Sequence, residues 1–317
     1  MLRLISCFFL IFFINALDSN SQQLTYIPDD YFEQHLINIG VDDVLDDYVL
    51  TSNISGLTTL GFGVGDNIIG IEDFTSLDYL RLEGSGGNET ISSVDLSQMS
   101  WVSEMFIYDI DSLTDLILPQ NNSSLEYINI NSNTNLSSIL LPSVNSSLTH
   151  LNIHSNAINS IDLTNQQNLY YLNLQEDISG AVNFSGNSQL IHLRIKSSTI
   201  NEIDLSNNTL LESFHFVSAV NISNLDLSNN INLVEVGLYT ASNLCELTLN
   251  ESIQDFILTN SPLICNLDLS QYSSLINVDI EGCNNIESIN FANSNNDNVN
   301  IFDVSENDSL SCIQIDI

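Results

Sequence analysis

Most of the chemistry this chain offers sits in eight side chains: Tyr127, His150, His154, Tyr171, His192, Arg194, Lys196 and His215. Imidazole, phenol and a cation in one place suit either proton transfer or the recognition of a carboxylate or sulfate. Spacing narrows the choice. His150 and His154 are four residues apart, roughly 13 Å on an extended strand, which is too far to share a metal ion. No nucleophile elbow, phosphate loop or Cys–His arrangement accompanies them. The sequence therefore assigns no catalytic residue, no metal ligand and no cofactor, and the protein is expected not to be an enzyme. The alternative is a parallel β-helix polysaccharide lyase. There Arg194 or Lys196 would neutralise a uronate, and His192 or Tyr171 would move the proton.

The background makes those bases conspicuous. The 317 residues hold 40 Asp and Glu against 4 Lys and Arg, a formal charge of −36. Nucleic acid is excluded as a partner, because phosphate neutralisation needs clustered Lys and Arg. Docking on anionic membrane surfaces is disfavoured on the same ground. Hydrophobic residues make up 43% of the chain, enough core material to exclude disorder. Met1-Leu2-Arg3 followed by an apolar run from Leu4 to Leu17 has the layout of a secretory signal peptide over residues 1–23. The run falls short of the ~20 residues a membrane span needs. The mature protein is expected to be secreted or held at a cell surface, without membrane insertion. Once Arg3 is removed, its only bases are Arg81, Arg194 and Lys196.

The elements that must position these residues are repeats. Leu-x-x-Leu-x-Leu, with other apolar residues substituting, starts at Leu77, Val102, Leu125, Leu148, Leu169, Leu190, Leu211, Leu233, Ile253 and Leu275, at spacings of 25, 23, 23, 21, 21, 21, 22, 20 and 22 residues. A second set lies between these, often as Ile/Leu-Asp-Leu-Ser/Thr-Asn, for example Leu225-Asp226-Leu227-Ser228-Asn229. Each unit of about 22 residues is one coil of a solenoid with two short extended segments. One coil cannot bury its own apolar face, so coils must stack with their backbones paired. The expected fold is mostly β, a solenoid of stacked parallel strands with about ten coils. Positions three, five and seven of the first motif point outward, and all three mature bases and four of the five histidines fall there. In the five middle coils, from Tyr127 to Val217, this face carries no acid, whereas Glu83, Glu104, Glu235, Asp255, Asp279 and Glu281 occupy its two ends.

These motifs resemble the leucine-rich repeat, whose core reads Leu-x-x-Leu-x-Leu-x-x-Asn/Cys. Asn133, Asn156 and Cys283 fill its last position, and Asp177, Ser198, Ala219, Ala241 and Ser261 depart from it. The start (Tyr26-Ile27-Pro28-Asp29-Asp30-Tyr31-Phe32-Glu33) and the close (Leu310-Ser311-Cys312-Ile313-Gln314) are similar to those of secreted bacterial leucine-rich repeat proteins, a class often exported by type IX secretion. The resemblance implies a concave sheet that binds a protein or glycan, an adhesion module or otherwise a structural spacer. The expected organisation is a cap over 24–76, an array over 77–291 and a closing segment over 292–317. Within the cap, Pro28, Asp29 and Asp30 mark a short helix start, and Phe32, Leu36 and Ile39 supply its apolar stripe before Gly40.

Two further expectations concern acids and thiols. Asp95, Asp162, Asp204, Asp226 and Asp268 recur in one column of the second motif. Such residues either bridge Ca²⁺ or bond local turn N–H groups, and the turn role is favoured. Asp42, Asp43, Asp46 and Asp47 cluster without the spacing of a calcium loop. Cys245 and Cys265 hold the same position in successive coils, which suggests one disulfide and leaves Cys283 and Cys312 for a second.

Overall fold

In a computed structural model that describes residues 22–317, apart from 88, 144–146, 179–181 and 317, the chain is a leucine-rich repeat solenoid. The segment expected to be a signal peptide lies almost wholly outside the described residues. One twelve-stranded parallel sheet runs the length of the array, one strand per coil, in unbroken chain order. Its register follows the leucines: Tyr127 lies opposite His150, His150 opposite Tyr171, Tyr171 opposite His192, and His192 opposite Ser213. Ile128 and Ile130, Leu151 and Ile153, Leu172 and Leu174, Leu193 and Ile195, and Phe214 and Phe216 alternate inward and are buried. Full burial of one such side chain contributes about 1.5–3 kcal/mol, and each of them packs on its copies in the coils before and after.

Two strands extend the sheet beyond the expected array. Thr59–Val64 pairs with Tyr79–Gly84, and Ile301–Asp303 pairs with Asn277–Glu281. Both carry the motif in substituted form, as Leu57-x-x-Leu60-x-Phe62 and Val299-x-x-Phe302-x-Val304. The opposite side of each coil forms only short pairings, such as Asn224–Asp226 with Glu246–Thr248.

Polar groups at the turns are met by side chains from the neighbouring coil. Most strands end on a left-handed residue, among them Asp109, Ser132, Ser155, Ser218, Thr240 and Asn260, which swings the chain out of the sheet. Asn133 then accepts from Ile110 N–H, and Asn156 accepts from Asn133 N–H. In the next two coils the left-handed residue is missing. The slot therefore moves up one position, and buried Glu176 and Ser197 occupy it instead of Asp177 and Ser198. Glu176 accepts from both the backbone and the side-chain amide of Asn156.

A longer asparagine ladder stands before the strands. Asn187, Asn208 and Asn230 are fully buried, each giving its Nδ2 protons to two backbone carbonyls of the preceding coil. The aspartate column takes the turn role. Asp95, Asp162, Asp204, Asp226 and Asp268 each accept from the backbone N–H two residues later. Hydroxyl and backbone donors of Thr164, Ser206, Ser228 and Ser270 hold the last four carboxyls below the usual range.

At the start of the array, β1 (Leu24–Tyr26) and β2 (Tyr48–Leu50) form an antiparallel pair, and α1 (Asp30–Asn38) lies between them in sequence. Asp29 caps α1 by accepting from Phe32 N–H, and Phe32 stacks on Phe62 of the first coil with ring centroids 4.1 Å apart. Phe32 and Leu36 are buried, but Ile39, expected in the same stripe, is exposed because α1 has already ended at Asn38.

Neither expected disulfide is present. Cys245, Cys265, Cys283 and Cys312 are all free thiols. Cys283 is buried in the turn slot, where its sulfur accepts from Ser261 N–H, while Cys312 sits on the far side of the coil opposite Ser288. Cys245 and Cys265 flank a break in the short-strand pairing, since Glu246–Thr248 and Asn266–Asp268 belong to separate sheets. No ladder holds these two positions at bonding distance.

Removing one rung of the buried ladder tests this account. Asn208→Ala removes the side-chain donor from the carbonyls of Phe184 and Asn187, each of which keeps one backbone N–H, and is expected to cost about 1–3 kcal/mol, read as a lower urea midpoint.

Candidate functional site

All eight residues singled out in the sequence lie on the outward face of the twelve-stranded sheet. Tyr127, His150, Tyr171 and His192 occupy one column, Arg194 and His215 the middle column, and His154 and Lys196 the third. Strand alternation places them there: each is flanked by buried leucine, isoleucine or phenylalanine, so its own side chain must point the other way.

From Tyr127 to His192 the first column is an unbroken file of rings, and Phe106 extends it to Tyr79 from the middle column, because Glu104 holds the first-column position of that coil. Tyr79 meets Phe106 at 4.9 Å and Phe106 meets Tyr127 at 5.1 Å between centroids. Tyr127 stacks on His150 at 5.6 Å, His150 on Tyr171 at 5.9 Å, and Tyr171 lies 6.2 Å from His192. Tyr170 joins from the edge, 5.7 Å from both His150 and His192. The sequence reading missed Tyr170 because its motif position is not one of the three outward ones; its signal was the one aromatic at a position where the other nine coils carry a non-aromatic residue. Ring pairs of this kind contribute about 0.5–1.5 kcal/mol beyond area burial.

Beside it runs a row of amides. Asn173 donates to Asn152 at 2.8 Å, and Gln175 donates to Asn173 at 3.0 Å. Next in line is Arg194, exposed like Lys196, and neither forms an ion pair among the described residues. Arg81, the third base, is engaged: it pairs with Glu83 at 2.8 Å and lies 5.3 Å over the Tyr108 ring. Farther along, His215 bonds Glu235 at 3.0 Å and stacks on Tyr239 at 6.0 Å. A glycine makes room for that cluster. A Cβ on Gly237 would lie 2.7 Å from the His215 ring nitrogen and 2.9 Å from the Tyr239 hydroxyl.

Burial holds three groups on this face in their neutral form. Burial pushes the Tyr108 phenol up to about 12 and raises that of Tyr239, so both stay neutral donors. Burial also lowers His154, leaving it uncharged at neutral pH. The island is not free of acid at its margin. A recess of ≈ 390 Å³ at the strand ends is lined by Gln175, Glu176, Asp177 and Lys196 among others. The Lys196 charge therefore lies beside two carboxyls, whereas Arg194 does not share that recess. Among the described residues this face gathers no metal set, and the one carboxylate cluster suited to an ion lies in the cap.

Neither a protein-family model nor a curated protein matches the sequence. Solved structures do. The chain is similar to internalin InlF from Listeria monocytogenes, at 18% identity over 91% of this chain and 95% of that one, with a TM-score of 0.48. For internalin C2 of the same organism the values are 18%, 81%, 97% and 0.49. For the functional domain of InlJ, which includes a cysteine ladder, they are 19%, 85%, 76% and 0.41. The likeness is one of chain path, and the reading of the face rests on this chain's own residues.

Glu176 offers a pH test of the margin. Burial raises its pKa, opposed by the Asn156 hydrogen bonds and by Lys196. A raised carboxyl favours the fold most when protonated, and that contribution is lost as pH rises through its folded value. Glu176→Gln keeps the acceptor for Asn156. Its melting temperature is expected to exceed that of the wild type at about pH 7 and to match it near pH 4.

Proposed function

We propose that this is an exported, non-enzymatic binding module, released to the medium or the cell surface by the type IX route its resemblance implies. The middle coils bind an extracellular protein or glycan that presents a carboxylate or sulfate. One observation carries the reading: Arg194 and Lys196, neither ion-paired among the described residues, stand next to a stacked file of Tyr and His rings on a stretch of sheet whose outward positions hold no acid, in a strongly anionic protein. Tyr127, His150, Tyr171 and His192 supply flat area at low entropy cost. Asn152, Asn173, His154 and His215 add directional donors and acceptors. Arg194 gives the bidentate contact to the anionic group, with Lys196 as a nearby point charge. The regular leucine repeat favours binding over the lyase reading.

Arg194→Glu combined with Lys196→Glu tests it. Against a panel of sulfated, uronate-containing and neutral glycans and acidic proteins, the wild type is expected to retain an anionic member. The double variant should lose about 100-fold in affinity, roughly two charge-assisted contacts. Raised salt should weaken capture by the wild type. Unchanged binding by the double variant overturns the proposal, as does release of an unsaturated product from a uronate polymer.

A further inference from the structure

The cap contains a group of carboxylates that the binding face does not explain. Asp30 and Glu33 lie one turn apart on α1, and Asp47 precedes β2; one oxygen from each lies within 4.8 Å of the others. Glu33 is fully buried. Its Oε1 accepts from Asp46 N–H at 2.9 Å and from Tyr48 N–H at 3.1 Å. Its Oε2 has no hydrogen-bond partner and no solvent contact, and it belongs to a side chain aimed at the other two acids. An ionised carboxylate so placed needs a positive partner. The chain's own bases are elsewhere, since the ion pairs among the described residues are Arg81–Glu83 and His215–Glu235.

We propose that Asp30, Glu33 and Asp47 bind one calcium ion. Hard carboxylate oxygens select a hard cation. Oxygens sharing a Ca²⁺ at about 2.3–2.6 Å stand up to roughly 5 Å apart, whereas the shorter bonds and strict octahedron of Mg²⁺ tolerate less spread. The ion joins α1 to the residue that leads into β2. Asp47 has a left-handed backbone with φ of 68°, and its carbonyl accepts from Ile27 N–H at 2.8 Å. Fixing Asp47 thus also fixes the strand pair β1–β2. Phe32, on the helix that carries Asp30 and Glu33, covers Phe62 of the first coil. Calcium therefore steadies the end of the array independently of any ligand on the sheet.

The experiment uses the full mature chain stripped with EGTA in about 0.1 M KCl, a salt level that screens exposed acids. Calorimetric titration with CaCl2 is expected to show one saturable site, and the melting temperature should rise with Ca²⁺ well beyond its rise with equal Mg²⁺. Asp30→Asn and Asp47→Asn, both at positions not fully buried, should each weaken binding roughly tenfold or more. Glu33→Gln should abolish it. If Glu33→Gln fails to fold, the two aspartate variants decide. A control, Asp204→Asn in the turn column, should bind as the wild type does. The proposal is overturned by absent saturable binding, by equal stabilisation from Mg²⁺, or by aspartate variants that bind Ca²⁺ like the wild type.

Discussion

Everything in this molecule depends on coil-to-coil stacking. A unit of about 22 residues has an apolar inner edge and no second layer of its own to cover it, so its stability comes from the units before and after. Parallel backbone pairing sets the distance at about 4.8 Å, and the leucines set the register. From these two constraints each motif position becomes a column. Inward columns form the core, and outward columns place side chains of successive coils near van der Waals contact whether or not they were selected to interact.

That geometry turns composition into an electrostatic problem. A column of carboxylates at strand spacing repels itself, so a protein with 40 acids must put them where they can be solvated or bonded. The turn aspartates show one solution, each using its charge on a backbone N–H two residues later. The central sheet face shows another. There the columns hold rings and amides, which gain from stacking where acids would lose. Stability and recognition make the same demand on this surface, and rings and amides on their own are explained by either. The exposed cation Arg194 is not: it forms no ion pair among the described residues, whereas its neighbour Lys196 lies beside Glu176 and Asp177.

Cross-coil hydrogen bonding supplies what packing does not. Turns at the ends of parallel strands leave backbone groups pointing into the array, where water cannot reach them. The buried asparagines before the strands and the Asn133–Asn156–Glu176 series after them meet that need from the adjacent coil. Where the left-handed residue drops out at Glu176 and Ser197, the slot shifts by one residue and a carboxylate replaces an amide. The recess lined by Lys196 opens at that irregularity.

Local sequence determined which residues face in and which face out. A strict two-residue alternation under recurring leucines leaves no other arrangement, and so the ring file, Arg194 and Lys196 were legible as one surface. Also legible were the N-cap at Asp29 and the turn role of the aspartates, because both are contacts within three residues. Only the tertiary structure decided the features that depend on how neighbouring coils meet. Tyr170 reaches the ring file from a position read as non-outward, and Leu57 and Val299 begin coils whose substituted motifs were read as cap and closing segment. Cys245 and Cys265 share a motif position yet flank a gap in the pairing, and Cys283 and Cys312 end on different sides of the coil. Asp30, Glu33 and Asp47 converge although a helix and a loop separate them in the chain. Each of these turns on a distance between segments, and alternation along one strand holds no information about that distance.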